Sequence, residues 1–122
     1  MQISSAESML MQALWDRHPQ SADELIRTLG PVQGWHESTI KTLITRLLQK
    51  QAITAEKDGR RSLYAPLLTR DEWIADQSES LLDRVFGGRV APLVAHFAEH
   101  RKLSRKDLAE LKQLIAEIDD AD

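Results

Sequence analysis

The sequence predicts a mainly α fold with a small β-hairpin wing: a winged helix-turn-helix over residues 1–67, followed by a three-helix dimerisation region over residues 68–122. Three observations carry that expectation. From Ser38 to Gln49, a turn of about 100° per residue puts Ile40, Leu43, Ile44, Leu47 and Leu48 on one helical face and Ser38, Thr39, Lys41, Thr42, Thr45, Arg46 and Gln49 on the other. Directly after it, the strand-like runs Ala52 to Lys57 and Arg61 to Ala65 flank Asp58-Gly59. Such a pair is the strongest short hairpin signal, read here with both central turn residues at positive φ. Beyond Pro66, the remaining helical stripes carry more aliphatic surface than about 50 residues can enclose.

Taken in order, Ser4-Ser5-Ala6-Glu7 is a capping box that opens a helix with Met9, Leu10, Ala13 and Leu14 apolar and Trp15 closing the run. His18-Pro19 ends it, since a residue before proline resists the α region. Ser21-Ala22-Asp23-Glu24 is a second box, with Leu25, Ile26 and Leu29 inward and Gly30-Pro31 as the stop. A short loop, Val32 to Trp35, leads into the Ser38–Gln49 helix, and the hairpin follows it. Thr69 to Glu72 is a third box, before Ile74, Leu81, Leu82, Val85 and Phe86 at helical spacing; Gly87-Gly88 breaks that helix. Val90, Leu93, Val94 and Phe97 mark a short helix, and Ser104 to Asp107 caps a last one striped by Leu108, Leu111, Leu114, Ile115 and Ile118. Exposed stripes of this size imply a partner, most simply a second copy on a two-fold axis. The candidate dimerisation residues are Leu81, Leu82, Val85, Phe86, Leu93, Val94, Phe97, Leu111, Leu114, Ile115 and Ile118.

The polar face of the Ser38–Gln49 helix points to function. A solvated face is usually built from Glu/Lys pairs, whereas this one offers short hydroxyls and two cations, with no carboxylate after Glu37. Short side chains let a helix approach base edges, and Lys and Arg reach phosphates or guanine, so the helix suits a major groove. Between Lys41 and Arg61 stand six cations and two anions, a local excess of +4 on a chain of net charge −3. That concentrates a positive field on one segment. Candidate DNA contacts are Ser38, Thr39, Lys41, Thr42, Thr45, Arg46, Lys50, Arg60 and Arg61. Thr39, Thr42 and Lys41 are assigned to base edges, and Arg46 and Lys50 to phosphates. Against these stand a merely solvated helix face, an Arg46 paired with a carboxylate at the core rim, and a solubilising hairpin tip. Tyr64 reads as hairpin packing.

Composition narrows the rest. With 42% apolar and 29% charged residues the chain is globular, and zero cysteines exclude a disulfide framework, a thiolate metal site and a cysteine nucleophile. No apolar run nears the roughly 18 residues that span a bilayer and no signal peptide is visible, so a cytoplasmic location without membrane insertion is expected. Residues 1–67 hold eight Lys/Arg against seven Asp/Glu, and residues 68–122 eight against twelve. The acidic half is suited to association or regulation. His96-Phe97-Ala98-Glu99-His100 matches the H-x-x-E-H pattern of inverted zinc peptidases, but Leu93 and Phe97 belong to an apolar stripe and the chain leaves no room for a substrate cleft. An interface or surface histidine pair is expected there; no enzyme, metal or cofactor is predicted.

Four segments together resemble the penicillinase-repressor family, also called BlaI/MecI/CopY: ISSAE to LW at Ile3 to Trp15, WHESTIKTLITRLLQKQAI at Trp35 to Ile53, KDGRRSLYAP at Lys57 to Pro66, and LSRKDLAELKQLI at Leu103 to Ile115. The resemblance is collinear from Ile3 to about Ile118. It implies a homodimeric repressor on a palindromic operator, with double-stranded DNA as partner and Arg60 in the place of a minor-groove or backbone contact. Three departures stand out. His36-Glu37 replaces a frequent Ser-Pro at the start of the reading helix, the copper branch's cysteine cluster is absent, and the Asn-Phe bond cut in the β-lactam branch aligns with His96-Phe97. The Phe is kept and the Asn is not, so cleavage at His96-Phe97 by a membrane sensor-protease stays open. The alternative from another class is a helical adaptor that binds a different protein through its C-terminal stripe.

Overall fold

Two polar side chains start the first two helices. In the computed structural model, which describes residues 1–121, the Ser4 hydroxyl accepts the Glu7 N–H at 3.1 Å and the Glu7 carboxylate accepts the Ser4 N–H at 3.0 Å. Ser21 and Glu24 repeat the arrangement. These boxes satisfy N–H groups that a helix start would otherwise leave without partners. They open α1 (Ser5–Asp16) and α2 (Ala22–Gln33). The reading helix is α3 (Glu37–Gln49), and the wing is β2 (Ile53–Asp58) paired antiparallel with β3 (Arg61–Pro66). Then come α4 (Arg70–Val85), α5 (Val90–Glu99) and α6 (Arg105–Ala121).

The structure corrects three sequence expectations. Gln20–Ser21 forms a short strand, β1, so the sheet has three strands in the order β1-β3-β2, with Gln20 opposite Tyr64 and Ser21 opposite Leu63. The buried Gln20 amide closes the preceding turn by donating to Ala13 O at 3.1 Å and Arg17 O at 2.7 Å. Gly30-Pro31 does not stop α2. Proline in a last turn removes one donor, and only Val32 and Gln33 follow it; the end comes at Gly34, left-handed at φ 69°, where Gly34 and Trp35 N–H both reach Gly30 O. In the hairpin, Asp58 pairs with Arg61, so the two turn residues are Gly59 and Arg60, and only Gly59 has positive φ. That is the primed turn with glycine first, in place of an Asp-Gly centre. In α1, Glu7, Leu10, Met11 and Leu14 turn inward and Met9 is 39% exposed.

By contact the chain forms two units, Met1–Asp76 and Gln77–Asp122, whereas the sequence suggested a break after residue 67. The first turn of α4 goes with the first unit because Trp73 packs on its core, 5.5 Å from the Trp15 ring, while Trp15 Nε1–H donates to Leu68 O at 2.9 Å. That core comprises Leu10, Met11 and Leu14 from α1, Leu25 and Leu29 from α2, Ile40, Leu43, Ile44 and Leu47 from α3, and Ala52, Ile53 and Leu68 around the wing. Each aliphatic side chain so buried stabilises by about 1.5–3 kcal/mol. The second unit has no buried residue among those described. Leu82, Phe86, Leu93, Val94 and Leu111 are half-buried, and Leu81, Val85, Phe97, Leu114, Ile115 and Ile118 are exposed. Gly87 and Gly88, both at positive φ, separate α4 from α5.

Candidate nucleic-acid interface

The apolar residues of α3 are locked into the core, so its other face is fixed toward solvent. Ser38, Thr39, Lys41, Thr42, Thr45, Arg46 and Gln49 are all exposed. The Thr42 hydroxyl donates to Ser38 O at 2.9 Å and the Thr45 hydroxyl to Lys41 O at 3.0 Å. With their protons used on the helix, both exposed hydroxyls are left as acceptors. A methyl and an acceptor side by side can meet a thymine methyl or an exocyclic base amine. His36 caps the helix: its Nδ1 accepts the Ser38 N–H at 3.1 Å and lies 3.0 Å from Ser38 Oγ. The position where the resemblance expects Ser-Pro thus keeps a cap, made by an imidazole. The preference of Ser, Thr, Asp and Asn for caps hid this role in the sequence.

The cations divide into engaged and free. Lys41 Nζ lies 2.8 Å from Glu37 Oε1, an exposed pair one turn apart. The hydrogen bond and charge of each partner hold the Glu37 carboxyl below its usual range and the Lys41 ammonium above its own. An exposed pair screened by water contributes little, so a phosphate can take over the ammonium. Arg61 chelates Asp58 Oδ2 through Nε and Nη2 at 3.2 and 3.1 Å and lies 4.0 Å from Glu24. The Glu24 carboxyl sits low, first through the Ser21 N–H and then through the Ser21 hydroxyl, Arg17 and Arg61. Lys50 is tied to Glu7 at 2.7 Å. Among the described residues, Arg46, Lys57 and Arg60 make no ion pair. The expected alternative partner for Arg46 is therefore not there.

The structure brings the α3 candidates onto one surface and puts Arg60 at the wing tip. Sequence reasoning missed Glu7, because its cation stands 43 residues away and a capping box already accounted for the carboxylate. Tyr64 is half-buried against the core, as expected. In the second unit, the His96 and His100 rings stack at 4.2 Å and His100 Nδ1 lies 2.9 Å from His96 O. No group of three or more His, Asp or Glu able to hold a metal occurs among the described residues. Among the described residues, no helix is long and apolar enough to cross a membrane.

The chain is 33% identical over 116 residues to the penicillinase repressor of Bacillus licheniformis, covering 95% of this chain and 91% of that one. It is 32% identical over 114 residues to the methicillin resistance regulatory protein MecI of Staphylococcus aureus, covering 93% of each. Among solved structures, that of the monomeric form of Bacillus licheniformis BlaI in complex with the blaP half-operator superposes with a TM-score of 0.53 at 32% identity, covering 59% of this chain and 88% of that one. The model of the penicillinase repressor family matches residues 3–117. On that match and these identities, the chain belongs to the penicillinase repressor family.

Proposed function

We propose that this protein is a homodimeric repressor that holds an inverted-repeat operator, each α3 entering one major groove and each wing lying on the adjacent backbone or minor groove. The observation that carries it is the face of α3, where Thr42 and Thr45 offer oriented acceptors and Arg46 pairs with no carboxylate among the described residues. The relative solved on a half-operator supports the same use of this fold. Half-sites should then lie about one helical turn, roughly 10 bp, or a multiple of it apart. The second copy is assigned to the exposed residues of α4 to α6, and release by a sensor-protease at His96-Phe97 fits the exposure of both residues.

In α3 and the wing, Arg46, Lys57 and Arg60, which make no ion pair among the described residues, with Lys41 as a fourth cation once Glu37 is displaced, give a plot of log affinity against log salt with a slope between about −5 and −7 for the dimer. A titration flatter than about −2 would remove the phosphate assignment. A protein that runs as a stable monomer and ignores DNA would favour the adaptor instead.

A further inference from the structure

Lys50 is the candidate DNA contact whose surroundings differ most from the rest. Its ammonium, on the C-cap residue of α3, sits 2.7 Å from Glu7 Oε1. Glu7 is 2% exposed. The same oxygen accepts the Ser4 N–H at 3.0 Å, and Oε2 is buried without a partner among the described residues. Lys41 and Arg61, by contrast, pair with carboxylates that water reaches freely. A phosphate can replace those carboxylates, because an exposed anion left behind is resolvated. It cannot replace Glu7 at similar cost, because withdrawing Lys50 would leave a buried anion with no cation.

The link also has leverage. It joins the first turn of α1 to the far end of α3, where Gln51 turns left-handed at φ 60° and Ala52 N–H closes on Leu47 O at 2.9 Å. Thr42, Thr45 and Arg46 lie upstream of this anchor on the exposed face. Rotating a helix of radius about 5–6 Å by 10° moves its side-chain tips by about 1 Å, enough to misalign a hydroxyl and a base edge. We infer that the Glu7–Lys50 pair is a positioning device for α3, and that Lys50 acts on operator recognition through Glu7, not by touching the DNA backbone. This rests on the DNA-binding reading proposed above.

The experiment uses the full chain and a duplex that the wild-type protein selects from a random-sequence pool, with a scrambled duplex as reference. Wild type must first bind with a steep salt dependence; if it does not, the DNA-binding reading fails and this inference with it. Given that, Lys50→Met lowers the ratio of selected to scrambled affinity by about tenfold while the salt slope stays within about half a unit of wild type. Lys50→Arg restores the ratio, Glu7→Gln reproduces the loss, and the double variant is no worse than either single one, since both remove one coupled interaction. Should Lys50→Met not fold, as its circular dichroism reads, Lys50→Gln takes its place in the same comparison. Two results overturn the inference: a slope flatter by about 0.9 per protomer with the ratio kept, which makes Lys50 a phosphate ligand, or an unchanged ratio and slope with only a lower melting temperature.

Discussion

Thr42 and Arg60 show how two exposed residues of one surface take different roles. Thr42 has its hydroxyl oriented by its own helix, so what it offers the duplex is a fixed shape. Arg60 stands at the hairpin tip with no ion pair among the described residues, so what it offers is a charge on a long tether. Thr42→Ala should therefore relax sequence preference by about 1–3 kcal/mol at one base pair, whereas Arg60→Ala should weaken every sequence alike and flatten the salt slope by about 1 per protomer. Binding assays on single-base variants of the selected duplex separate the two, and the reverse pattern would overturn the division. Glu7 carries a prediction about acid. Burial pushes its carboxyl up, but the hydrogen bonds from Lys50 and Ser4 and the Lys50 charge outweigh that and leave it below the ordinary 4.5. A carboxyl depressed in the folded state contributes stability that is complete above about pH 4.5 and lost as pH falls through the folded value. Wild type should exceed Glu7→Gln by about 2 kcal/mol at neutral pH, with the gap closing below pH 4.5 in urea unfolding; a gap independent of pH would show that the Glu7 charge is not what stabilises.

At the scale of elements, the ends matter most. Gly34 ends α2 at φ 69° and Gly59 opens the hairpin turn at φ 67°, and a methyl group at either would meet nothing within 4 Å. Alanine there costs about 1–2 kcal/mol from backbone conformation alone, without a clash. Thermal unfolding of Gly34→Ala and Gly59→Ala should show that loss, and unchanged melting would place the ends of α2 and β2 elsewhere. The same ends show what the sequence made legible. Ser4 with Glu7 and Ser21 with Glu24 announce their helices because every partner lies within three residues. The apolar faces of α3 and α6 follow from period alone. Gly30-Pro31 misled because a glycine and a proline together look like a stop, while the lone Gly34 that actually turns left-handed looks like loop. β1 was invisible, since two polar residues gain strand geometry only from a partner 42 or more positions away. Lys50 was legible as a cation but not as half of a pair, for the same reason of sequence distance.

For the whole molecule, the contrast between the two units decides how the proposed repressor assembles. The first unit closes its own core, whereas the second leaves Val85 59%, Ile115 58% and Ile118 63% exposed. An apolar surface left open like that is the mark of an association face. Ile115→Glu should give a monomer in sedimentation that retains the fold of the first unit, with the salt slope halved because one protomer then contacts one half-site. A dimer that survives this change together with Ile118→Glu would move the interface off α6. Within the first unit, Ser21 is at once the end of β1 and the cap of α2, and β1 is hydrogen-bonded to the wing. The part of the protein that would grip a duplex therefore has no joint of its own. The wing cannot fold back without unzipping β3 from β1, whose last residue also starts α2, so an inducing signal would loosen the grip by parting the two copies, or by melting this unit outright, sooner than by bending a finger away from the groove.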